Sequence, residues 1–129
     1  ALVGAIYNNS SSNFLTTYKQ GDKVKCEGLA SVTVTETTMT SKTLNIPVTA
    51  KKVNFVIGTT WISKYTTSVH PVSTFTDMSY FAFTVSGVLS GGSNIYAQGD
   101  CPVETSQTVY GKNDVAGETV TLYPKGWED

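Results

Sequence analysis

Hydrophobic and polar residues alternate along several short stretches of the chain. Apolar side chains take every second position there, which predicts β-strands that bury one face. The clearest series are Val24 with Cys26, Val120 with Leu122, and the alternate residues of 53–57 and 81–85. No amphipathic helical period continues beyond about two turns. Roughly seven to nine short strands with turn signals between them predict an all-β fold. We expect a β-sandwich with Greek-key connections, immunoglobulin-like or pilin-like, with a small β-barrel as second choice.

Four segments interrupt this regular pattern. Residues 37–42 are polar enough to form a loop or an exposed edge strand. Pro47 predicts a sheet edge or a strand break, because proline donates no hydrogen bond to a ladder. Residues 66–77 are rich in hydroxyl side chains and predict a long connection across one end of the domain. Residues 112–114 predict a turn.

Composition limits the classes of protein to consider. The 129 residues suit one domain, residues 1–129, and only 15% of them are charged. All nine basic residues are Lys and the net charge is -1, which argues against nucleic-acid binding because clustered positive charge and guanidinium groups are missing. The adjacent Lys51 and Lys52 are interpreted as a solvated strand edge. No apolar stretch approaches the roughly 20 residues of a transmembrane helix.

The two cysteines, Cys26 and Cys101, predict one disulfide, with two buried free thiols as the alternative. Closing a loop of roughly 75 residues would stabilise the fold by about 4 kcal/mol in the chain-entropy model. A start at Ala1 fits a processed secretory product. Asn8 and Asn9 both satisfy the Asn-x-Ser rule for N-glycosylation. Together these features predict an extracellular or cell-surface protein.

The order of Cys26, Trp61 and Cys101 resembles the immunoglobulin-like sandwich, in which two cysteines join the sheets beside a core Trp. Trp61 lies farther from Cys26 than the usual core Trp does, and Tyr96 does not have the Tyr-x-Cys spacing of that family. The resemblance implies a sandwich and no particular activity.

Residues for catalysis are few. His70 is the single histidine, and we interpret it as a surface residue in a polar loop, because no nucleophile motif accompanies it. The carboxylates are scattered and Arg is absent, which disfavours glycoside hydrolysis and phosphoryl transfer. Four acidic residues in two late loops suggest calcium, but turn chemistry explains them more simply: Asp100, Glu104, Asp114 and Glu118. We expect a non-enzymatic protein without a metal or cofactor.

Residues 1–7 form an apolar run, and polar residues 8–13 follow as a possible hinge. This arrangement resembles the N-terminal extension of pilus-type fibres, which adds a strand to the next subunit. The side chains that would exchange are Leu2, Val3, Ile6 and Tyr7. The first hypothesis is therefore an extracellular structural or adhesive protein, a filament subunit that self-associates or joins another extracellular protein. An ordinary first strand of a monomer explains the same residues.

The second hypothesis is a secreted carbohydrate-binding module. Several aromatic residues fall near strand ends or at outward positions, and sugars stack on such rings. Tyr65 and Trp127 are the candidate ligand aromatics, and Tyr96 and Tyr123 belong to the same group. Tyr side chains that are partly buried in strands, with the hydroxyl in water, are the simpler explanation of the pattern.

Overall fold

A computed structural model describes residues 16–60, 65–74, 82–85, 94–114, 116 and 119–129. This part of the chain contains ten strands and no helix. The strands are β1 (Thr17–Gln20), β2 (Lys23–Cys26), β3 (Val32–Val34), β4 (Thr40–Thr43), β5 (Lys52–Thr60), β6 (Tyr65–His70), β7 (Ala82–Val85), β8 (Asn94–Pro102), β9 (Thr108–Asn113) and β10 (Val120–Glu128).

The strands form two antiparallel sheets that pack together as a β-sandwich, which confirms the predicted fold class. One sheet has six strands in the order β1-β2-β10-β5-β8, and β3 also pairs with β10. The other has four strands in the order β4-β9-β6-β7. The C-terminal strand β10 lies inside the six-stranded sheet, where β5 covers one of its edges while β2 and β3 share the other.

The core lies between the sheets. In the six-stranded sheet one row of inward side chains crosses four strands, because the register pairs Val24 with Trp127, Trp127 with Val53, and Val53 with Cys101. All four side chains are buried, and Trp127 is the largest fully buried side chain. Burial of such apolar area is the main favourable contribution to folding.

The predicted disulfide is wrong: Cys26 and Cys101 are free and buried. Cys26 lies on β2 and Cys101 on β8, and β10 and β5 run between these strands. Adjacent strands are about 4.8 Å apart, so three spacings separate the cysteines by on the order of 14 Å. A disulfide needs Cα atoms within about 7 Å. Both cysteines belong to one sheet, so the inter-sheet bridge implied by the immunoglobulin-like resemblance is also absent.

Some local predictions hold and others fail. Residues 40–43 form β4 at one end of the four-stranded sheet, in agreement with the predicted exposed edge. The chain is not in strand conformation around Pro47, in agreement with the predicted break. The predicted connection over residues 66–77 is wrong for residues 66–70, which belong to β6, and residues 75–77 lie outside the described residues. His70 is fully buried there, so its interpretation as a surface residue is wrong.

The predicted turn at residues 112–114 is wrong in part, because β9 continues to Asn113 and buries that side chain. The Asn113 side chain donates to the carbonyl oxygen of Val34 at 2.8 Å and accepts a hydrogen bond from the Thr67 hydroxyl at 2.6 Å. Its backbone N–H donates to the Glu36 carbonyl oxygen. Asn113 therefore connects β9 and β6 of one sheet to β3 of the other.

Candidate functional site

Most of the residues that the sequence predicts for a site lie outside the described part of the chain. Leu2, Val3, Ile6 and Tyr7, and the glycosylation candidates Asn8 and Asn9, lie outside the described residues. Tyr65 begins β6, but its side chain also lies outside the described part.

Trp127 is described and is fully buried, so the prediction that it contacts a ligand is wrong. A β-bulge between Pro124 and Gly126 causes this result. Before the bulge, Leu122 faces the core and Tyr123 faces outward; the extra residue shifts the alternation, so Trp127 points inward.

A row of polar side chains crosses the outer face of the six-stranded sheet. Lys25 on β2, Gly126 on β10, Asn54 on β5 and Asp100 on β8 are aligned by the strand register. The Lys25 ammonium donates to the Asn54 amide oxygen at 2.9 Å, and the Asn54 amide nitrogen donates to the Asp100 carboxylate at 2.7 Å. Lys25 reaches Asn54 across an intervening strand because Gly126 places no side chain between them.

Gly126 is the residue that the bulge geometry demands. A Cβ atom at this position would overlap the carbonyl oxygen of Val24 on the neighbouring strand. The absence of a side chain therefore serves both the close approach of β2 to β10 and the path of Lys25 over the sheet.

Ion pairs continue the polar row towards one end of the sheet. The Lys52 ammonium lies 3.3 Å from the Glu128 carboxylate and 3.7 Å from the Asp100 carboxylate. The hydrogen bond to Glu128 and its charge, followed by the charge of Asp100, raise the pKa of Lys52. Lys52 opens a strand that has neighbours on both sides, so the interpretation of Lys51 and Lys52 as a strand edge is wrong for Lys52.

Two tyrosine rings lie farther along the same face, with Val56 and Gln98 between them and this row. Tyr96 on β8 is directly opposite Gly58 on β5, and Tyr123 comes from β10 on the other side of Gly58. A Cβ atom added to Gly58 would lie 2.9 Å from a ring carbon of Tyr96 and 2.9 Å from one of Tyr123. Both rings thus occupy the space that Gly58 leaves, and Tyr96 remains 62% exposed. The Lys125 ammonium lies 5.7 Å from the centroid of the Tyr123 ring, within cation–π range.

A shallow groove of about 110 Å³ runs along this face, and we call it the outer-face groove. Its lining comes from four consecutive strands of the sheet, β2, β10, β5 and β8. The side chains that define it are Lys25, Asn54, Val56, Gln98, Asp100 and Lys125. The groove thus presents ammonium, amide and carboxylate groups next to the aromatic pair, and all of these groups are carried by a hydrogen-bonded sheet.

The outer-face groove contains residues that the sequence analysis did not select. Tyr96 and Tyr123 were placed among outward aromatics, whereas Lys25 and Asn54 were not assigned to a site and Asp100 was considered only as a calcium ligand. The available signal was the alternation that gives Lys25, Asn54 and Gln98 outward positions on their strands. Which strands become neighbours is not encoded in that alternation.

The described residues do not support the calcium alternative. No group of three or more His, Cys, Asp and Glu side chains is placed to hold a metal ion among them. Glu104 and Asp114 are exposed, and Asp100 is engaged with Asn54 and Lys52. Glu118 lies outside the described residues.

Comparison with known proteins assigns the chain to no family: no protein-family model matches it, and neither a curated protein nor a solved structure does. Across the described ranges, no helix has the length and hydrophobicity to cross a membrane. The function is therefore argued from the geometry of the site.

Proposed function

We propose that this protein is a non-enzymatic carbohydrate-binding domain and that the outer-face groove is its binding site. The observation that carries the proposal is the exposed Tyr96 ring, paired with Tyr123 over Gly58 on the same outer face as the row formed by Asn54 and Asp100. This proposal keeps the ligand class of the second sequence hypothesis and replaces its residues.

The outer face offers aromatic rings for the flat face of a sugar ring and polar groups for its edge. The face of a pyranose ring carries C–H groups, which an aromatic ring can cover because its flat body is apolar. The edge of the sugar carries hydroxyl groups, which both donate and accept hydrogen bonds. Asn54 supplies an amide that does both, and Asp100 supplies carboxylate oxygens that accept.

The size and openness of the groove favour binding of an extended chain. Pockets that enclose a small-molecule ligand typically measure about 300–1,000 Å³. The outer-face groove, at about 110 Å³, covers part of one ligand surface and leaves the rest open. A polysaccharide can pass along such a face, whereas a small substrate would gain little enclosure. This supports a binding role over a catalytic one.

Affinity electrophoresis in gels that contain soluble polysaccharides tests the proposal. The panel includes a neutral β-glucan, a neutral mannan and polygalacturonate. We expect retardation of the native protein by at least one of them, and a loss of about tenfold in affinity for Tyr96→Ala, because removal of a stacked ring costs roughly 1–1.5 kcal/mol.

Tyr18→Ala provides the matched control. Tyr18 is 65% exposed on the same sheet, but it lies on β1, which β2, β10 and β5 separate from the strand of Tyr96. Tyr18→Ala should keep its affinity. No retardation of the native protein by any polysaccharide, or equal losses for both variants, would contradict the proposal.

A second candidate is the filament subunit joined by strand exchange. Residues 1–7 are the apolar segment that would exchange. Strand β8 supports this candidate because it is nine residues long and, within the described ranges, has β5 as its one neighbour. An edge of this length can accept an additional strand through its backbone groups.

Deletion of residues 1–7 separates strand exchange from an ordinary monomer. We expect the native chain to form concentration-dependent assemblies in light scattering and the deletion variant to remain monomeric. Leu2→Asp should also reduce assembly, whereas Asn9→Asp in the polar segment should not. A native chain that is monomeric at every concentration, with unchanged stability after the deletion, excludes this candidate.

The extracellular location is proposed as well. The sequons at Asn8 and Asn9 and a polysaccharide ligand support it. The free thiols supply no support, because a fold without a disulfide does not require an oxidising compartment. Expression in a secretory eukaryotic host, followed by enzymatic removal of N-glycans, tests the location: a mass decrease that Asn8→Gln with Asn9→Gln abolishes is the expected result.

A further inference from the structure

The outer face of the six-stranded sheet is more positive than the protein as a whole. The full chain has a net charge of -1. Four lysines lie on the described part of this face, and two carboxylates accompany them. The residues are Lys23, Lys25, Lys52, Lys125, Asp100 and Glu128. The face therefore attracts anions although the chain is slightly acidic.

The two carboxylates are already engaged by one lysine. Asp100 and Glu128 both pair with Lys52, and Asp100 also accepts a hydrogen bond from Asn54. The positive charge of Lys52 is thus balanced by these two carboxylates. These contacts leave little of its charge available to a ligand.

Lys25 and Lys125 differ from Lys52 in this respect. Lys25 donates to the neutral amide of Asn54, and Lys125 lies over the neutral ring of Tyr123. Within the described residues, no carboxylate lies within ion-pair distance of either ammonium group. Both lysines line the outer-face groove, one from β2 and the other from the bulge in β10.

On the basis of the proposed function, we propose that the preferred ligand is an acidic polysaccharide, and that Lys25 and Lys125 together hold the carboxylate of a uronic acid unit. The sugar ring then stacks on the pair Tyr96 and Tyr123. An ammonium group binds a carboxylate through charge-assisted hydrogen bonds, which are stronger than bonds between neutral groups. A carboxylate offers two oxygens, one for each lysine.

Alternation along β10 and the glycine at position 126 place this pair on the outer face. Tyr123 faces outward, and Lys125, two residues later, takes the same direction by alternation. Lys125 has no register partner within the bulge between Pro124 and Gly126, and its ammonium lies beside the Tyr123 ring. Gly126 lets Lys25 extend over the same strand. The outward direction of Lys125 and the missing side chain of Gly126 thus bring both cations to the groove.

Two forms of one polymer test the inference: polygalacturonate, and the same polymer with its carboxylates methyl-esterified. Binding is measured by titration calorimetry with the intact protein. We expect at least tenfold tighter binding of the acidic form at low salt, and a weaker preference at high salt because exposed charges are screened. Equal affinities for the two forms would overturn the inference.

Charge-removing variants locate the effect. Lys25→Gln and Lys125→Gln should each weaken binding of polygalacturonate by about three- to tenfold, and by more than they weaken binding of the esterified form. Lys125→Arg should keep the preference because the positive charge remains. Lys23→Gln is the control on the same face outside the groove, and we expect less than a twofold effect. An equal loss for Lys23→Gln would show a general charge effect and contradict the pairing of Lys25 with Lys125.

The outcomes separate this inference from the proposed function. Binding of neutral polysaccharides alone, sensitive to Tyr96→Ala, supports the carbohydrate site and contradicts the acidic ligand. Absence of binding to every polysaccharide contradicts both. Dextran sulfate and duplex DNA are further probes: a sulfated glycan that competes equally moves the assignment from carboxylate to sulfate and overturns the uronic acid ligand, and DNA that competes equally overturns selectivity for a sugar.

Discussion

At the scale of single residues, Gly58 determines where two aromatic side chains of the outer face can lie. Its missing Cβ is the space into which the rings of Tyr96 and Tyr123 fit. A larger residue would displace both rings at once, without reaching the polar row formed by Lys25 and Asn54. Gly58 therefore offers a way to disturb the aromatic pair while all ligand-facing groups stay in the chain.

Gly58→Ala is predicted to weaken polysaccharide binding by about three- to tenfold with little loss of stability. The added methyl group pushes the rings apart, while Ala costs less backbone entropy than Gly in a strand. Calorimetric titration and urea unfolding measure the two effects. Unchanged affinity would show that the ring positions over Gly58 do not matter.

The thiols also belong to this scale. Burial raises the pKa of Cys101 to about 12. Burial raises the pKa of Cys26 as well, against a smaller opposite effect of the hydrogen bond from Thr17. Both groups are therefore protonated at neutral pH and react slowly, because the thiolate is the reactive form.

We predict that the protein, unfolded without reductant, titrates two thiols with a chromogenic thiol reagent, and that the native protein reacts far more slowly. The comparison of native and unfolded samples checks burial, and the unfolded value checks the absence of a disulfide. A value near zero in the unfolded sample would restore the bridge and contradict the arrangement of β2 and β8.

At the scale of elements, β10 and β9 determine how the parts meet. Strand β10 contacts three strands of its sheet and carries the bulge that turns Trp127 inward. Strand β9 ends in Asn113, whose side chain satisfies the Val34 carbonyl oxygen of the opposite sheet. Buried amides of this kind specify one arrangement because an unpaired partner is costly.

Asn113→Ala is predicted to lower the free energy of unfolding by about 2–3 kcal/mol, since it leaves the Val34 carbonyl oxygen and the Thr67 hydroxyl without their partner. Thr67→Val should cost about 1 kcal/mol, and a double-mutant cycle should show coupling between the two positions. Urea unfolding provides the values. The exposed Asn45→Ala is the control, with an expected change within about 0.5 kcal/mol; a similarly small change for Asn113→Ala would contradict the role of Asn113.

At the scale of the whole molecule, a surface ion pair adds a pH-dependent link near Asn113. Glu36, which follows β3, lies 2.8 Å from Lys42 on β4 of the other sheet. The hydrogen bond from Lys42 is the main cause that lowers the pKa of Glu36. A carboxylate with a lowered folded pKa stabilises the protein above its unfolded pKa, and this contribution disappears as the pH falls through the folded value.

We therefore predict that Glu36→Gln is less stable than the native protein at pH 7 by up to about 1 kcal/mol, as for other solvent-accessible pairs. The difference should shrink as the pH falls below about 4. Urea unfolding at several pH values measures it, with the exposed Glu104→Gln as control. A difference between Glu36→Gln and native protein that is constant from pH 7 to pH 3 would contradict the contribution of this pair.

Whether a prediction from the sequence was correct depends on how far apart in the chain the interacting residues are. Alternation in the segments around Val53 and Leu122 predicted strands correctly, because a strand presents successive side chains to opposite faces. The same reasoning failed for Trp127, since a single extra residue in the bulge reverses the alternation beyond it. The prediction also failed for His70, because the hydroxyl-rich residues before it were predicted to form a loop, whereas they form β6.

The site was predictable only in part. Outward positions for Tyr96 and Tyr123 follow from alternation, but their meeting over Gly58 requires β8, β5 and β10 to be neighbours. The disulfide prediction used loop length and cysteine number, neither of which contains the strand order that separates Cys26 from Cys101.

By itself the sequence determined the all-β character of the chain and its low charge, since these properties arise from neighbouring residues and from composition. The tertiary structure decided which strands pair, and thereby brought Lys25, Asn54 and Asp100 into one row while it kept the two cysteines apart. The physical reason is that strand pairing is set by packing of the whole core, where contacts join residues far apart in the chain, and local alternation is compatible with many orders of the same strands.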